Sequence, residues 1–163
     1  MREWVVASAV LEADGAILLV RNRRRNGSVD WSTPGGVVDE GESVLEGLGR
    51  EVTEETGLVV TEWGDRLYEV TVDAAELGWR ARVEVWRAAA YTGELVVDDH
   101  DGIVDDARFV AFSACDEHVG SSHRWVHEPF GEWMAARAAP GAPLAFRYFV
   151  TGTAPDIVVT RLP

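Results

Sequence analysis

Residues Gly36 to Leu58 read GVVDEGESVLEGLGREVTEETGL, and their spacing decides the central element of the fold. Wound as a helix from Ser43, the stretch puts Leu45, Leu48 and Val52 on one stripe and Glu51, Glu54 and Glu55 on another. Carboxylates three and four residues apart repel by roughly 0.2–0.5 kcal/mol per pair, so a helix that gathers them needs a compensating charge. A bound divalent cation is the simplest one. Ser43 followed by Glu46 forms a capping box and Gly57 supplies the C-terminal stop, so the spacing predicts a helix over Val44 to Thr56. Gly47 and Gly49 inside it each cost about 1 kcal/mol relative to Ala and point to close backbone packing on their face.

The fixed residues Gly36, Glu42, Arg50, Glu51, Glu54, Glu55 and Gly57, with aliphatic Val52 and Leu58, spell G-x5-E-x7-R-E-U-x-E-E-x-G-U, where U is a bulky aliphatic residue. This pattern resembles the signature of the Nudix hydrolase family. At roughly one chance in fifteen per fixed residue, such a match arises by accident on the order of once in 10⁸ starting points. Pro34-Gly35-Gly36, just ahead, is similar to the family as well. The resemblance implies an α/β fold, a Nudix-type α/β/α sandwich with a mixed β-sheet. It also implies substitution at one phosphorus of a nucleoside diphosphate linked to a variable group X.

At 163 residues the chain is long enough for one domain that buries about two-thirds of its unfolded surface, so residues 1–163 are read as a single domain. The net charge is −13, and all 15 basic residues are Arg. Such a surface repels nucleic acid polymers but not a small phosphorylated molecule whose charge is met locally by Mg²⁺ and a few Arg. No window approaches the roughly 20 apolar residues of a membrane span, and the start MREWVVASAVLEADG reads as a strand and not a signal peptide. The single Cys115 cannot close an internal disulfide. Together these point to a cytoplasmic protein.

Trp4 to Leu11 and Ala16 to Arg21, separated by Ala13-Asp14-Gly15, read as a β-hairpin. Further strands are expected over Arg66 to Val72, Trp79 to Ala90 and Ala107 to Phe112, with a turn at Tyr91 to Glu94. From Ser113 the character is helical, with Ser122 to Arg137 amphipathic but broken near Pro129. Beyond Ala139-Pro140-Gly141-Ala142-Pro143, Leu144 to Val150 and Ile157 to Arg161 form a C-terminal hairpin within an appended segment, 144–163. A homodimer, if one forms, would use the exposed edge of that hairpin.

Mg²⁺ takes oxygen ligands, keeps waters and is commonly shared between a few carboxylates and substrate phosphates; Mn²⁺ is the alternative. Glu51, Glu54 and Glu55 fit that description, with a carbonyl near Gly36 as a neutral ligand, the role the family resemblance implies for that position. Arg50 is read as orienting a glutamate through a bidentate ion pair. The general base is either a glutamate of the helix or an acidic residue of a later loop, as the family resemblance implies. That loop runs from Asp98 to Asp106, with Asp101 and Asp105 as candidates. Arg23, at the end of a predicted strand, and Trp31, beside the glycine loop, are the candidate substrate contacts. His123 and His127 have a zinc-like spacing without a third ligand, and Cys115 lacks an activating partner, so both are read as structural.

Markers that distinguish ADP-ribose, dinucleoside polyphosphate, NADH and coenzyme A hydrolases in the family are missing after the box. What remains is a resemblance to the MutT-like group of the family, which implies a (d)NTP or modified nucleotide as substrate. The alternatives are an ADP-ribose or nucleotide-sugar pyrophosphatase, and a nucleotide-sensing module without turnover.

Overall fold

The computed structural model describes residues 1–139 and 141–163. In chain order the elements are β1 (Arg2–Val10), β2 (Glu12–Ala13), β3 (Ala16–Arg23), β4 (Val29–Ser32), β5 (Gly35–Val37), α1 (Val44–Thr56), β6 (Val59–Ala74), β7 (Trp79–Thr92), β8 (Val104–Ala111), α2 (Phe112–Val119), α3 (Arg124–Ala136), β9 (Leu144–Thr153) and β10 (Asp156–Leu162). A single 3₁₀ turn, Ala75–Leu77, joins β6 to β7.

The six-stranded sheet has the order β10-β9-β6-β7-β1-β5, and a second sheet of four strands is built from β2, β3, β4 and β8. In the first sheet β1 runs parallel to β7 and β6 parallel to β9, whereas the other pairs are antiparallel, so the sheet is mixed. Leu48 and Val52 of α1 pack with Ala7, Ala9, Leu11 and Leu58 in one core. Cys115, Val119, Phe130, Trp133 and Met134 of α2 and α3 pack with Tyr68, Val70, Phe146 and Tyr148 in the other. Helices on two separate cores around a mixed sheet are the α/β/α sandwich expected from the sequence.

Helix α1 begins and ends where its caps place it. Ser43 Oγ accepts from the Glu46 N–H at 3.2 Å and Glu46 Oε2 accepts from the Ser43 N–H at 2.9 Å. Gly57 closes the helix at φ +77, a conformation that a β-carbon disfavours. Gly47 does mark close packing, since a β-carbon there would lie 2.8 Å from Glu42 Oε2, but Gly49 faces open space.

Three expectations are corrected. β1 and β3 do not form one hairpin; the antiparallel contact with the start of β3 is confined to Leu11–Ala13, while β1 lies between β7 and β5. Ala7, Ala9, Val10 and Leu11 are fully buried, as are Ile17 to Leu19. Strands covered on both faces belong inside separate sheets and not in a hairpin with one solvated face. Helix α3 continues through Pro129. Its missing N–H removes one backbone bond, and burial of Pro129, Phe130, Trp133 and Met134 holds the helix across the gap. The C-terminal hairpin exists but is not an appendage. β9 joins β6 and buries Phe146, Tyr148 and Val150, and Tyr148 donates its hydroxyl to Glu128 of α3 at 2.9 Å. Of the linker expected at 139–143, Pro140 lies outside the described residues.

Candidate active site

Arg50 organises the acidic face of α1. Its Nε donates to Glu42 Oε1 at 2.7 Å and its Nη2 to Glu42 Oε2 at 3.1 Å, a bidentate pair. Its Nη1 donates to Glu51 Oε1 at 3.0 Å and to Glu54 Oε2 at 3.3 Å. One guanidinium thus fixes three carboxylates, and with the Val37 carbonyl at 3.3 Å it ties the helix to the loop that enters it. Arg50 holds the Glu42 carboxyl below the ordinary range, with the Asp39 N–H adding to the effect.

The glycines of the entry loop permit close approach. A β-carbon on Gly35 would collide with the Ala7 carbonyl at 2.0 Å, and one on Gly36 would stand 2.6 Å from Glu51 Cδ. Glu55 lies behind them, 7% exposed, and among the described residues accepts only a long 3.4 Å bond from the Gly35 N–H. Burial, followed by the Glu51 charge, pushes its carboxyl up to about 9. Glu51 is also raised, by burial first, with Arg50 opposing and Glu54 and Asp101 adding repulsion.

These groups open onto a cavity of about 570 Å³, within the usual range for a small-molecule site. Gly36, Glu51, Glu55 and Asp101 all line it, so the acidic loop does reach the helix. Glu54 stands beside them through Arg50. Three other predicted residues are not brought there. Asp105 is held on the far side by Arg21 at 2.6 Å and Arg23 at 2.9 Å, and its carboxyl is depressed, chiefly by Arg21. Arg23 is occupied by the same pair. Trp31 packs edge-on against His118 with Arg108 over its ring. Strand alternation explains Arg23 and Trp31: Arg21 opposes Trp31 across β3 and β4, and Arg23 lies two residues on from Arg21, whereas Asp105 is the residue skipped where the β3–β8 register shifts between Asp106 and Val104.

The opposite face of β3 carries what sequence reasoning missed. Asn22 lines the cavity, as do Arg24, Asp30 and Ser32. Arg24 donates to both Asp30 oxygens, at 2.8 and 3.0 Å. Burial alone would raise the Asp30 carboxyl, but Arg24, Asn22 and nearby His123 outweigh it and leave it below the ordinary range. His123 and Trp125, at the start of α3, complete the wall, their rings stacked 4.3 Å apart. His127 faces a separate surface depression, so the two histidines share no site. Alternation carried past Arg21, where the expected strand stops, separates Asn22 and Arg24 from Arg21 and Arg23, and that is the signal in the sequence that could have found them. Cys115 is buried, with its thiol pushed up to about 11 by burial and Asp116, and is inert packing.

The donor set suits a hard divalent cation. A nearly enclosed carboxyl with one weak hydrogen bond among the described residues, facing the charges of Glu51, Asp99 and Glu54, is a poor place for negative charge unless a cation offsets it. Among the described residues no three His, Cys, Asp or Glu side chains already form a closed metal cage. Arg50 holds the Glu51 and Glu54 oxygens instead, and Mg²⁺ commonly relies on one or two carboxylates, waters and substrate phosphates.

Comparison with known proteins sets this geometry in a family. Residues 1–134 match the family model described as NUDIX domain. The RNA pyrophosphohydrolase of Caulobacter vibrioides is 32% identical over 110 residues, covering 58% of this chain and 64% of that protein. The ADP-ribose pyrophosphatase of Methanocaldococcus jannaschii is 38% identical over 55 residues, 34% of this chain and 32% of that one. The chain thus spans less than two thirds of the length of these relatives. A crystal structure of a MutT NUDIX hydrolase from Burkholderia pseudomallei superposes with a TM-score of 0.61 at 29% identity, covering 69% of this chain and 86% of that one.

Proposed function

The chain belongs to the NUDIX domain family, and from that premise we propose that it is a Mg²⁺-dependent pyrophosphohydrolase of a nucleoside diphosphate linked to X, acting on a (d)NTP or modified nucleotide of the MutT-like kind. One observation carries the reading: Glu51 and Glu55 line the same cavity as Asp101, and Arg50 couples Glu54 to Glu51. Residues 1–163 are taken as one domain, because β9 lies against β6 within the main sheet.

Held by Glu51, Glu54, Glu55 and the Gly36 carbonyl, a divalent cation would neutralise phosphate oxygens and lower the pKa of an attacking water. Arg50 keeps Glu51 and Glu54 in a fixed orientation and shares their charge. Asp101 takes the general-base role in this reading, because it lines the cavity with Glu51 whereas Asp105 is committed to Arg21 and Arg23. Arg24 takes the phosphate-contact role first assigned to Arg23, since its guanidinium lines the cavity and is anchored by Asp30.

The relatives' names diverge between RNA and ADP-ribose, so the substrate is assigned by class only. The charge of −13 disfavours polymer and supports a free nucleotide; a cytoplasmic location and a homodimer through the β10 edge belong to the same proposal. No helix among the described residues is long and apolar enough to cross a membrane.

The test is turnover of (d)NTPs, oxidised dGTP, ADP-ribose, nucleotide sugars and dinucleoside polyphosphates, with Mg²⁺ and with EDTA, identifying products by mass. Metal-dependent cleavage of a nucleotide is expected. Tight binding without cleavage of any would replace this reading with the sensing module.

A further inference from the structure

Two buried side chains in the cavity, Tyr68 and Asn22, each leave one polar atom that neither the fold nor the phosphate chemistry uses. Tyr68, on β6, is 4% exposed and lines the cavity, its ring packed edge-on against Phe146 at a centroid distance of 6.0 Å. Among the described residues its hydroxyl has no hydrogen-bond partner. Asn22, on β3, is 7% exposed and lines the same cavity. Its amide nitrogen donates to Asp30 Oδ1 and to Ser32 Oγ, both at 3.0 Å. A carboxylate can only accept, so the orientation of the amide is fixed and its carbonyl oxygen is left over. No fully enclosed side-chain nitrogen or oxygen among the described residues lacks a partner, so both leftover atoms open onto accessible space.

Resting on the nucleotide reading above, we infer that the Tyr68 hydroxyl and the Asn22 carbonyl read the base of the substrate and determine which base is accepted. The two groups stand on different sheets, β6 in the six-stranded one and β3 in the four-stranded one, so a ring between them is held from two walls. The stacked His123 and Trp125 supply an aromatic wall, which suits a planar heterocycle. Asn22 can only accept, so the base must present an N–H to it, from an exocyclic amine or a ring nitrogen. Tyr68 can give or take a hydrogen bond, and burial keeps its phenol protonated. Asp30 is a positioning residue, gripped by Arg24 and gripping Asn22. A buried polar group that only the right ligand satisfies discriminates strongly against one that leaves it unpaired.

The experiment measures kcat/KM on nucleotides that differ only in the base, on the base-free ribose triphosphate and on the analogue of the preferred base that lacks its N–H. Wild type is compared with Tyr68→Phe, with the ligand-free Tm of both. Removing a hydroxyl that has no partner among the described residues should leave Tm unchanged. For the preferred nucleotide, kcat/KM should fall by about 3- to 10-fold through KM, with no change on the base-free compound, so that base preference narrows. Wild type should also disfavour the analogue lacking the N–H. An unchanged preference in Tyr68→Phe, an equal fall on the base-free compound, or wild type indifferent to the base or to its N–H would overturn the inference and leave the nucleotide reading intact. Absence of turnover on every nucleotide would overturn both.

Discussion

Gly36 lies so close to Glu51 that a β-carbon on the glycine would stand 2.6 Å from the glutamate Cδ and 2.7 Å from its Oε1. Gly36 is not among the residues of positive φ, so its backbone would tolerate Ala and only the contact forbids it. Gly36→Ala should therefore fold, with a Tm loss within a few degrees, yet lose at least about 100-fold in kcat as Glu51 is displaced. Thermal melts beside steady-state kinetics check this; normal turnover would separate Glu51 from the chemistry.

Asp101→Asn and Asp105→Asn should diverge. Asp101 lines the cavity with Glu51, whereas Asp105 bridges Arg21 and Arg23 between β3 and β8. Loss of the first should cut kcat by about 10²-fold or more with an unchanged Tm, and loss of the second should lower Tm with kcat within about threefold. Equal and negligible effects on kcat would move the general base to the helix.

The helix and its chemistry were legible in the sequence because both are local. Ser43, Glu46 and Gly57 bracket α1 at the residues predicted, Val44 and Thr56, and helical phase alone gathers Glu51, Glu54 and Glu55. Non-local pairing was not legible. The apolar runs of β1 and β3 suit a hairpin as well as two separate sheets, and only tertiary burial chooses between them. The second wall of the cavity escaped for the same reason. Asn22 and Arg24 declare themselves only once β3 is known to extend to Arg23. The hydroxyl of Tyr68 is distinguished by lacking a partner among the described residues, which no sequence pattern encodes.

Stability should depend on pH through Glu55. Folding raises its carboxyl from an ordinary 4.5 to about 9, so between those values the folded state holds a proton that the unfolded chain has released. Stability from this group is complete below about pH 4.5 and is lost progressively as pH rises towards 9. In EDTA, Tm should fall across that window, and Glu55→Gln should flatten the fall. Mg²⁺, binding the ionised form, should raise Tm more at pH 8 than at pH 5. A flat profile for wild type in EDTA would contradict the buried carboxyl.

Truncation after Pro143 should abolish cooperative folding. It removes β9 from the flank of β6 together with the buried Phe146, Tyr148 and Val150, each contributing about 1.5–3 kcal/mol through burial. It would also leave β6 as an open edge. Against a typical total of about 5–15 kcal/mol, the loss leaves little margin. Near-UV circular dichroism through a melt checks this; a sharp transition close to wild type would make the hairpin an appendage after all.

The central claim is that the acidic face of α1 works by holding a divalent cation against a pyrophosphate. Its most direct test is the Mg²⁺ dependence of nucleotide turnover in wild type and in Glu54→Gln, whose side chain is partly exposed and bonded only to Arg50 among the described residues. The account predicts no turnover of wild type in EDTA, saturable recovery with Mg²⁺, and a kcat at least about 100-fold lower in a Glu54→Gln variant that melts like wild type. Turnover that persists in EDTA, or a Glu54→Gln variant with wild-type kcat, would contradict it.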